Sequence, residues 1–165
     1  MKTILTAIAE FLASKIKRRL LFIGILVIIA LVDFFTLDVT RRTFVFYDIS
    51  NGNIAVEDRM LVRSRSREVN ITRYTQEALL GPVSPNLLPI FPRETKLKSL
   101  LYRNDTVFVN LSADAALPPI EGGQSLENFR ILHDGILRNF PFVRYVRFFI
   151  DGQAVFSDEF RRYRM

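Results

Sequence analysis

A chain of 165 residues with 23 Lys+Arg, 17 Asp+Glu, one His and no Cys or Trp has the length of one domain and a net charge of +6. Without cysteine there is no disulfide, thiolate metal site, Cys nucleophile or lipid-modified Cys, and one His leaves little room for a His-rich metal centre, so no metal and no cofactor is expected. A hydrophobic content of 49% excludes wholesale disorder, and the positive balance admits a polyanion or an anionic membrane surface as partner.

The first 39 residues read as a separate object. Ile4, Leu5, Ile8, Phe11, Leu12 and Ile16 recur at helical spacing, so residues 1–17 suit a helix lying at the inner membrane surface. Residues 1–19 then form a basic cytoplasmic segment, ending in Lys15, Lys17, Arg18 and Arg19. An apolar run follows: Leu20, Leu21, Phe22, Ile23, Gly24, Ile25, Leu26, Val27, Ile28, Ile29, Ala30, Leu31 and Val32. Asp33 interrupts it, and Phe34, Phe35 and Leu37 extend it to 18 residues, about 27 Å of helix at ~1.5 Å per residue. Basic residues before the run and acidic ones soon after it put the N-terminus in the cytoplasm. Ala30-Leu31-Val32 makes a poor cleavage site. Residues 20–37 are therefore expected to be an uncleaved signal anchor, a single-pass transmembrane helix of the cell inner membrane with residues 38–165 outside.

Those later residues carry the punctuation of one α+β domain. Thr43–Tyr47 is β-branched and aromatic, and Asn51-Gly52-Asn53 is a turn signal. In Met60–Val69 the alternation Arg63-Ser64-Arg65-Ser66-Arg67 reads as a strand with all three arginines on one face. Asn70 is expected to cap a helix over Ile71–Leu80 that stops at Gly81-Pro82. The four prolines of residues 81–92 predict a loop, which Leu87, Leu88, Ile90 and Phe91 should pack onto the core. Leu97–Tyr102 and Thr106–Leu111 flank Arg103-Asn104-Asp105 as a hairpin. A loop over residues 113–124 leads to Ser125, expected to cap a helix running to Asn139 with an apolar stripe of Leu126, Phe129, Leu132, Ile136, Leu137 and Phe140. Val143–Ile150 is strongly β, and Asp151-Gly152 turns into a last strand over Ala154–Phe156. The expected order is ββαββαββ, a mixed sheet with two helices packed on one face.

This order resembles the GerM-type domain of bacterial sporulation, spore-germination and cell-envelope proteins. The landmarks are the aromatic strand Phe44–Tyr47, Glu57-Asp58-Arg59, the helix end Ala78–Pro82, Phe91–Leu97, Val107–Ser112, Gly122-Gly123 before the long helix, and Val146–Gly152 with its Ile-Asp-Gly turn. The resemblance covers roughly residues 42–157. It implies an extracytoplasmic, non-catalytic module of envelope assemblies, some relatives being similar to small ring-building domains. Many relatives are lipoproteins or carry tandem copies; here a hydrophobic helix replaces the lipidated Cys, and there is one copy.

Candidate chemistry is sparse. His133 sits between Leu132 and Asp134 and is expected as a surface or half-buried helix residue rather than a base. Glu57-Asp58 and Asp158-Glu159 are paired carboxylates, but neighbours on a strand point to opposite faces, so only a cross-pair such as Glu57 with Asp158 could flank a glycosidic bond. Gly122-Gly123 offers amides near a helix start without a nucleotide-binding pattern. Asn70, Asn104 and Asn110 head N-x-[ST] triplets, of which Asn70 reads as a helix cap and Asn104 as a turn residue. Arg63, Arg65 and Arg67, with Arg144, Arg147, Arg161, Arg162 and Arg164, form the candidate contact for an anionic cell-wall polymer, lipid head groups or an acidic partner. The expected function is a membrane-anchored envelope scaffold acting through other envelope proteins or a homo-oligomer, with no nucleic acid. The alternative is a peptidoglycan- or glycan-binding module, or an envelope hydrolase using a carboxylate pair.

Overall fold

The computed structural model describes residues 15–36, 38–50, 52–117 and 125–160, with the side chains of Lys17 and residues 33–36 outside that description. The stretch 1–14, Gly122-Gly123, and Arg161, Arg162 and Arg164 lie outside the described residues. The chain divides into two compact units, Met1–Asp38 and Val39–Met165.

Among the described residues the first unit contains one helix, α1 (Lys15–Thr36). Its side chains from Leu20 to Val32 are exposed. Among the described residues no helix is long and apolar enough to cross a membrane. The uninterrupted apolar run Leu20–Val32 is shorter than the expected span of residues 20–37, whose last five side chains lie outside that description. That run gives about 20 Å at ~1.5 Å per residue, against a hydrocarbon core of about 30 Å.

The second unit begins with a long antiparallel hairpin, β1 (Val39–Asp48) and β2 (Ile54–Val62). Asp48 Oδ1 accepts from the Ser50 N–H at 2.8 Å, and Gly52, at φ 68°, takes the left-handed step of the turn. Helix α2 (Arg67–Leu80) follows. It starts earlier than the sequence suggested, because Ser66 rather than Asn70 is the N-cap, its hydroxyl accepting from the Val69 N–H at 3.4 Å. Gly81 ends it at φ 85°. In the proline loop, Ile90 and Phe91 are buried as expected, and the short strand β3 (Leu87–Leu88), not foreseen, pairs with Tyr47 and Asp48 of β1.

Strands β4 (Leu97–Arg103) and β5 (Thr106–Leu111) form the expected hairpin. Asn104 and Asp105 at φ 50° and 57° supply its left-handed two-residue turn. A 3-10 turn over Ala113–Ala116 precedes helix α3 (Ser125–Asn139). There the Ser125 hydroxyl donates to the Ala116 carbonyl at 2.8 Å. Strand β6 (Tyr145–Ile150) runs parallel to β5 after this crossover and turns through Asp151-Gly152 into β7 (Gln153–Val155).

The strands form two sheets, β2-β1-β3 and β4-β5-β6-β7, in place of the single mixed sheet expected. Helix side chains cap the edge of β1 that β3 does not reach and part of the outer edge of β4. Asn139 takes both backbone groups of Thr43 on β1, and Glu68 accepts the Tyr102 N–H of β4 at 2.8 Å. One core serves both sheets and both helices, built on Phe44, Phe46, Tyr74, Phe91, Phe129, Phe140 and Phe148. Phe129 meets Phe91 and Phe148 edge-on at ring separations of 5.1 Å, and Tyr74 stacks on Phe44 at 4.6 Å.

Candidate functional site

Strand β2 ends at Val62, so the Arg-Ser alternation is not a strand and its arginines do not form a stripe. Arg63 and Arg65 lie in the connection to α2, and Arg67 opens the helix; all three are exposed. Asn70 fixes this connection. Its amide accepts the Ser64 N–H at 2.6 Å and donates to the Ser64 carbonyl at 2.7 Å. That pairing outcompetes extended pairing of the alternating stretch. The Arg67 guanidinium lies 4.7 Å from the centre of the Phe142 ring.

The geometry brings Arg63 instead beside two arginines that the sequence did not single out. Thr40, Arg42, Arg63 and Arg73 line one small depression at the end of the β1–β2 hairpin. Arg42 donates to the Asn139 carbonyl and lies 4.4 Å from the Phe140 ring centre. Burial, and then the charge of Arg63, lower its pKa. Arg73 donates from Nη1 to the Val62 carbonyl at 2.8 Å. The hairpin register, with Thr40 opposite Leu61, and the position of α2 together bring them to one place. Guanidiniums so placed offer two-pronged donors to phosphate or carboxylate.

The central paired carboxylates are structural. Glu57 Oε1 accepts from Arg59 Nε at 2.6 Å, and its oxygens take the N–H groups of Val83 and Ser84. Burial alone would raise the Glu57 pKa; the hydrogen bonds from Arg59, Ser84 and Val83, with the Arg59 charge, outweigh it and hold the carboxyl below its usual range. Arg59 also donates to the Glu77 carboxylate at 3.1 Å and to the Gly81 carbonyl at 2.6 Å, closing the C-terminal end of α2. Its guanidinium covers Phe44 at 4.9 Å. Asp58, on the opposite face, binds Arg41 and the Thr43 hydroxyl. The hydrogen bond from Arg41, then that from Thr43, lowers its pKa.

Asp158 belongs to different surroundings. It lines a cavity of about 470 Å³ over β6 and β7 with Tyr145, Arg147, Phe149 and Phe156, so the cross-pair with Glu57 does not assemble. His133 is fully buried rather than at the surface, stacked on Phe160 at 4.8 Å with Nδ1 2.8 Å from Asp134 Oδ1. The sequence could not show this, because the covering ring comes from the far C-terminal segment. Asn110 Oδ1 accepts the Gly152 N–H at 3.0 Å, and Asn104 forms its turn. Arg144 faces Asp105 at 3.6 Å, and Arg147 is exposed. Among the described residues no group of His, Asp or Glu could hold a metal ion.

Residues 44–156 match the Germane family, described as sporulation and spore germination, and the chain belongs to that family. Among solved structures it is similar to a Clostridium perfringens protein assigned as a lipoprotein, at 21% identity and a TM-score of 0.48 over 73% of this chain and 80% of that one. It is also similar to the tandem GerMN domains of the sporulation protein GerM from Bacillus subtilis, at 18% identity and a TM-score of 0.49, covering 70% of this chain and 40% of that one. The first GerMN domain of the same protein gives 17% identity and a TM-score of 0.45 over 68% and 85% of the two chains. No curated protein sequence matches the chain.

Proposed function

We propose that this GerM-type domain is a non-catalytic interaction module held at the cell envelope by its N-terminal helix. The observation that carries the reading is the outer face of β2. Ile54, Val56, Met60 and Val62 stand there more than two-fifths exposed on one edge strand, with only Asp58 interrupting. Exposed apolar side chains gathered on a long edge strand mark an association surface. The Glu57-Asp58 pair supports the same view, since it holds arginines and backbone rather than facing an open cleft.

Membrane attachment through residues 20–37 belongs to this reading. A helix apolar on every side needs lipid or protein around it. In α1 the side chains Leu20, Phe22, Ile23, Leu26 and Ile29 are at least half exposed, and a basic block precedes them. Positive charge before such a run favours an N-terminus inside and a C-terminal domain outside the membrane.

Protease added to intact spheroplasts tests the arrangement. Removal of the domain with protection of residues 1–19 is the expected result, and protection of the domain overturns it. Crosslinking in the same membranes should trap the domain in a discrete adduct.

A further inference from the structure

The outer edge of β2 carries strand-pairing chemistry that no described strand uses. Thr43 gives its N–H to Asn139 Oδ1 at 3.0 Å and its carbonyl to Asn139 Nδ2 at 2.8 Å, on the side away from β2. Its partner in register is Asp58. In an antiparallel ladder two opposite residues either exchange hydrogen bonds or both face away, so the backbone groups of Asp58 point outward. By the two-residue period those of Val56, Met60 and Val62 do too. The Val62 carbonyl, which accepts from Arg73 of α2 rather than from β1, agrees. In the sheet β2-β1-β3, β2 is an edge strand.

Beside this edge runs an open groove of about 910 Å³ lined by Met60, Val62, Arg73, Leu80, Arg93 and Lys96. Met60, Val62 and Leu80 are exposed apolar side chains along it. Arg73, Arg93 and Lys96 are exposed as well, whereas the carboxylate of Glu77, also on the groove, is held by Arg59 at 3.1 Å. Thr95 lines the groove with a buried hydroxyl that has no hydrogen-bond partner.

We propose that this groove takes an extended acidic peptide segment of a partner protein, which adds as a strand to the outer edge of β2. Backbone groups of Val56, Asp58 and Met60 would supply main-chain pairing. Apolar side chains of the peptide would rest against Met60, Val62 and Leu80, and its carboxylates would face Arg73, Arg93 and Lys96. Charge selects this occupant over a second copy of the chain. Two copies each carry a net charge of +6, and an antiparallel pairing of β2 with itself would bring like-charged rims together. The inference deepens the interaction-module reading and rests on it.

The test uses the full chain in nanodiscs of neutral phosphatidylcholine. The probe is a fluorescent peptide of alternating Glu and Val, about eight residues long to match a strand. Saturable binding that weakens with salt is expected, with affinity at least about tenfold lower for the Lys/Val counterpart. N-methylation of alternate peptide nitrogens on the pairing edge should cost at least about tenfold, because it removes the main-chain donors. The double variant Arg93→Glu/Lys96→Glu should reverse the preference between the two probes.

Absence of saturable binding, or equal binding of the N-methylated probe, overturns the inference. So does displacement of the acidic probe from the parent protein by phosphatidylglycerol vesicles, which would make lipid the ligand. Self-association that excludes the probe, with probe binding falling as protein concentration rises, would put a second copy on this edge instead. If the probe fails while crosslinking in native membranes still gives a discrete adduct, the module reading survives and the groove assignment falls. If neither is seen, both fall.

Discussion

Asn139, the last residue of its helix, pairs with Thr43 as a neighbouring strand would. The Thr43 N–H donates to Asn139 Oδ1 at 3.0 Å, and Asn139 Nδ2 donates to the Thr43 carbonyl at 2.8 Å and to the Gly135 carbonyl at 2.9 Å. One side-chain amide thus satisfies an edge of β1 and part of a helix C-terminus together. It also leaves β2 as the edge of that sheet where a strand can still add.

Replacing Asn139 with Ala leaves the part-buried Thr43 N–H without its partner. The Tyr74 hydroxyl, 3.2 Å from the Thr43 carbonyl, keeps that acceptor satisfied. A loss of about 1–3 kcal/mol is expected from the orphaned donor. Asn139→Asp should recover part of it by keeping the acceptor. Urea unfolding of the full chain in mild detergent, followed by circular dichroism, measures both variants.

Regular elements were legible wherever side-chain period and punctuation agreed. The β4–β5 hairpin follows from Asn104-Asp105 between two β-rich runs, and the Ser125–Asn139 helix from its apolar stripe. The family resemblance likewise rested on residues that turn out to be structural. Glu57 and Arg59 bind each other and the end of a helix, and the Asp151-Gly152 turn joins two strands. What failed was non-local. Alternation made Arg63–Arg67 look like a strand, because nothing nearby in sequence announces that Asn70 folds back onto Ser64. Asn139 and Glu68 reach strands distant in sequence, and no periodicity encodes those contacts or the split into two sheets. The groove beside β2 draws on a strand, a helix and the segment before β4, so it exists only after folding.

Glu57 makes stability depend on acid. Its folded-state pKa lies below the ordinary carboxylate value, so its contribution is fully present above the unfolded pKa and is lost as pH falls through the folded one. Unfolding midpoints should therefore fall as the pH drops below about 4.5, with the largest change where Glu57 takes up its proton. Glu57→Gln should flatten that acid limb and lower stability at neutral pH by about 1–3 kcal/mol, since the Arg59 guanidinium loses its charged partner. An unchanged acid limb in the variant would assign the dependence to the exposed pairs Arg41–Asp58 and Asp48–Ser50.

Gly135 is required by a close approach rather than by a turn. A Cβ there would overlap the Tyr74 hydroxyl, which is buried in the core and bonded to the Thr43 carbonyl. Gly135→Ala should therefore destabilise by about 1–3 kcal/mol, although alanine is the better helix former. Adding Tyr74→Phe removes the overlapping oxygen and leaves ordinary ring contact. The double variant should then be more stable than the sum of the two single changes predicts, with a coupling of about 1 kcal/mol. Additive effects would show that helix packing near Gly135 yields without touching Tyr74.

The exposed arginines of the β2–α2 connection give the remaining prediction. Arg63, Arg65 and Arg67 no longer share a strand face, and they differ in what they touch. Arg67 lies over Phe142, whereas Arg63 shares the depression with Arg42 and Arg73. Replacing all three with Gln should cost about 1 kcal/mol or less, mostly from the ring contact of Arg67. Removing Arg63 should relieve Arg42, whose guanidinium it electrostatically disfavours, which offsets part of that loss. Retention on anionic polymer or acidic-lipid vesicles should fall in the triple variant, and parental retention should itself fade as salt shortens the reach of exposed charges. Single exposed ion pairs contribute about 1 kcal/mol or less, so the effect should be large only on a polyvalent anion that engages several arginines together. Restoring Arg63 alone should recover more retention than restoring Arg65 alone, because only Arg63 adds to the charge of Arg42 and Arg73. Equal recovery by either residue would mean that net charge, rather than this depression, governs the attraction, and global unfolding of the triple variant would show that the connection is structural.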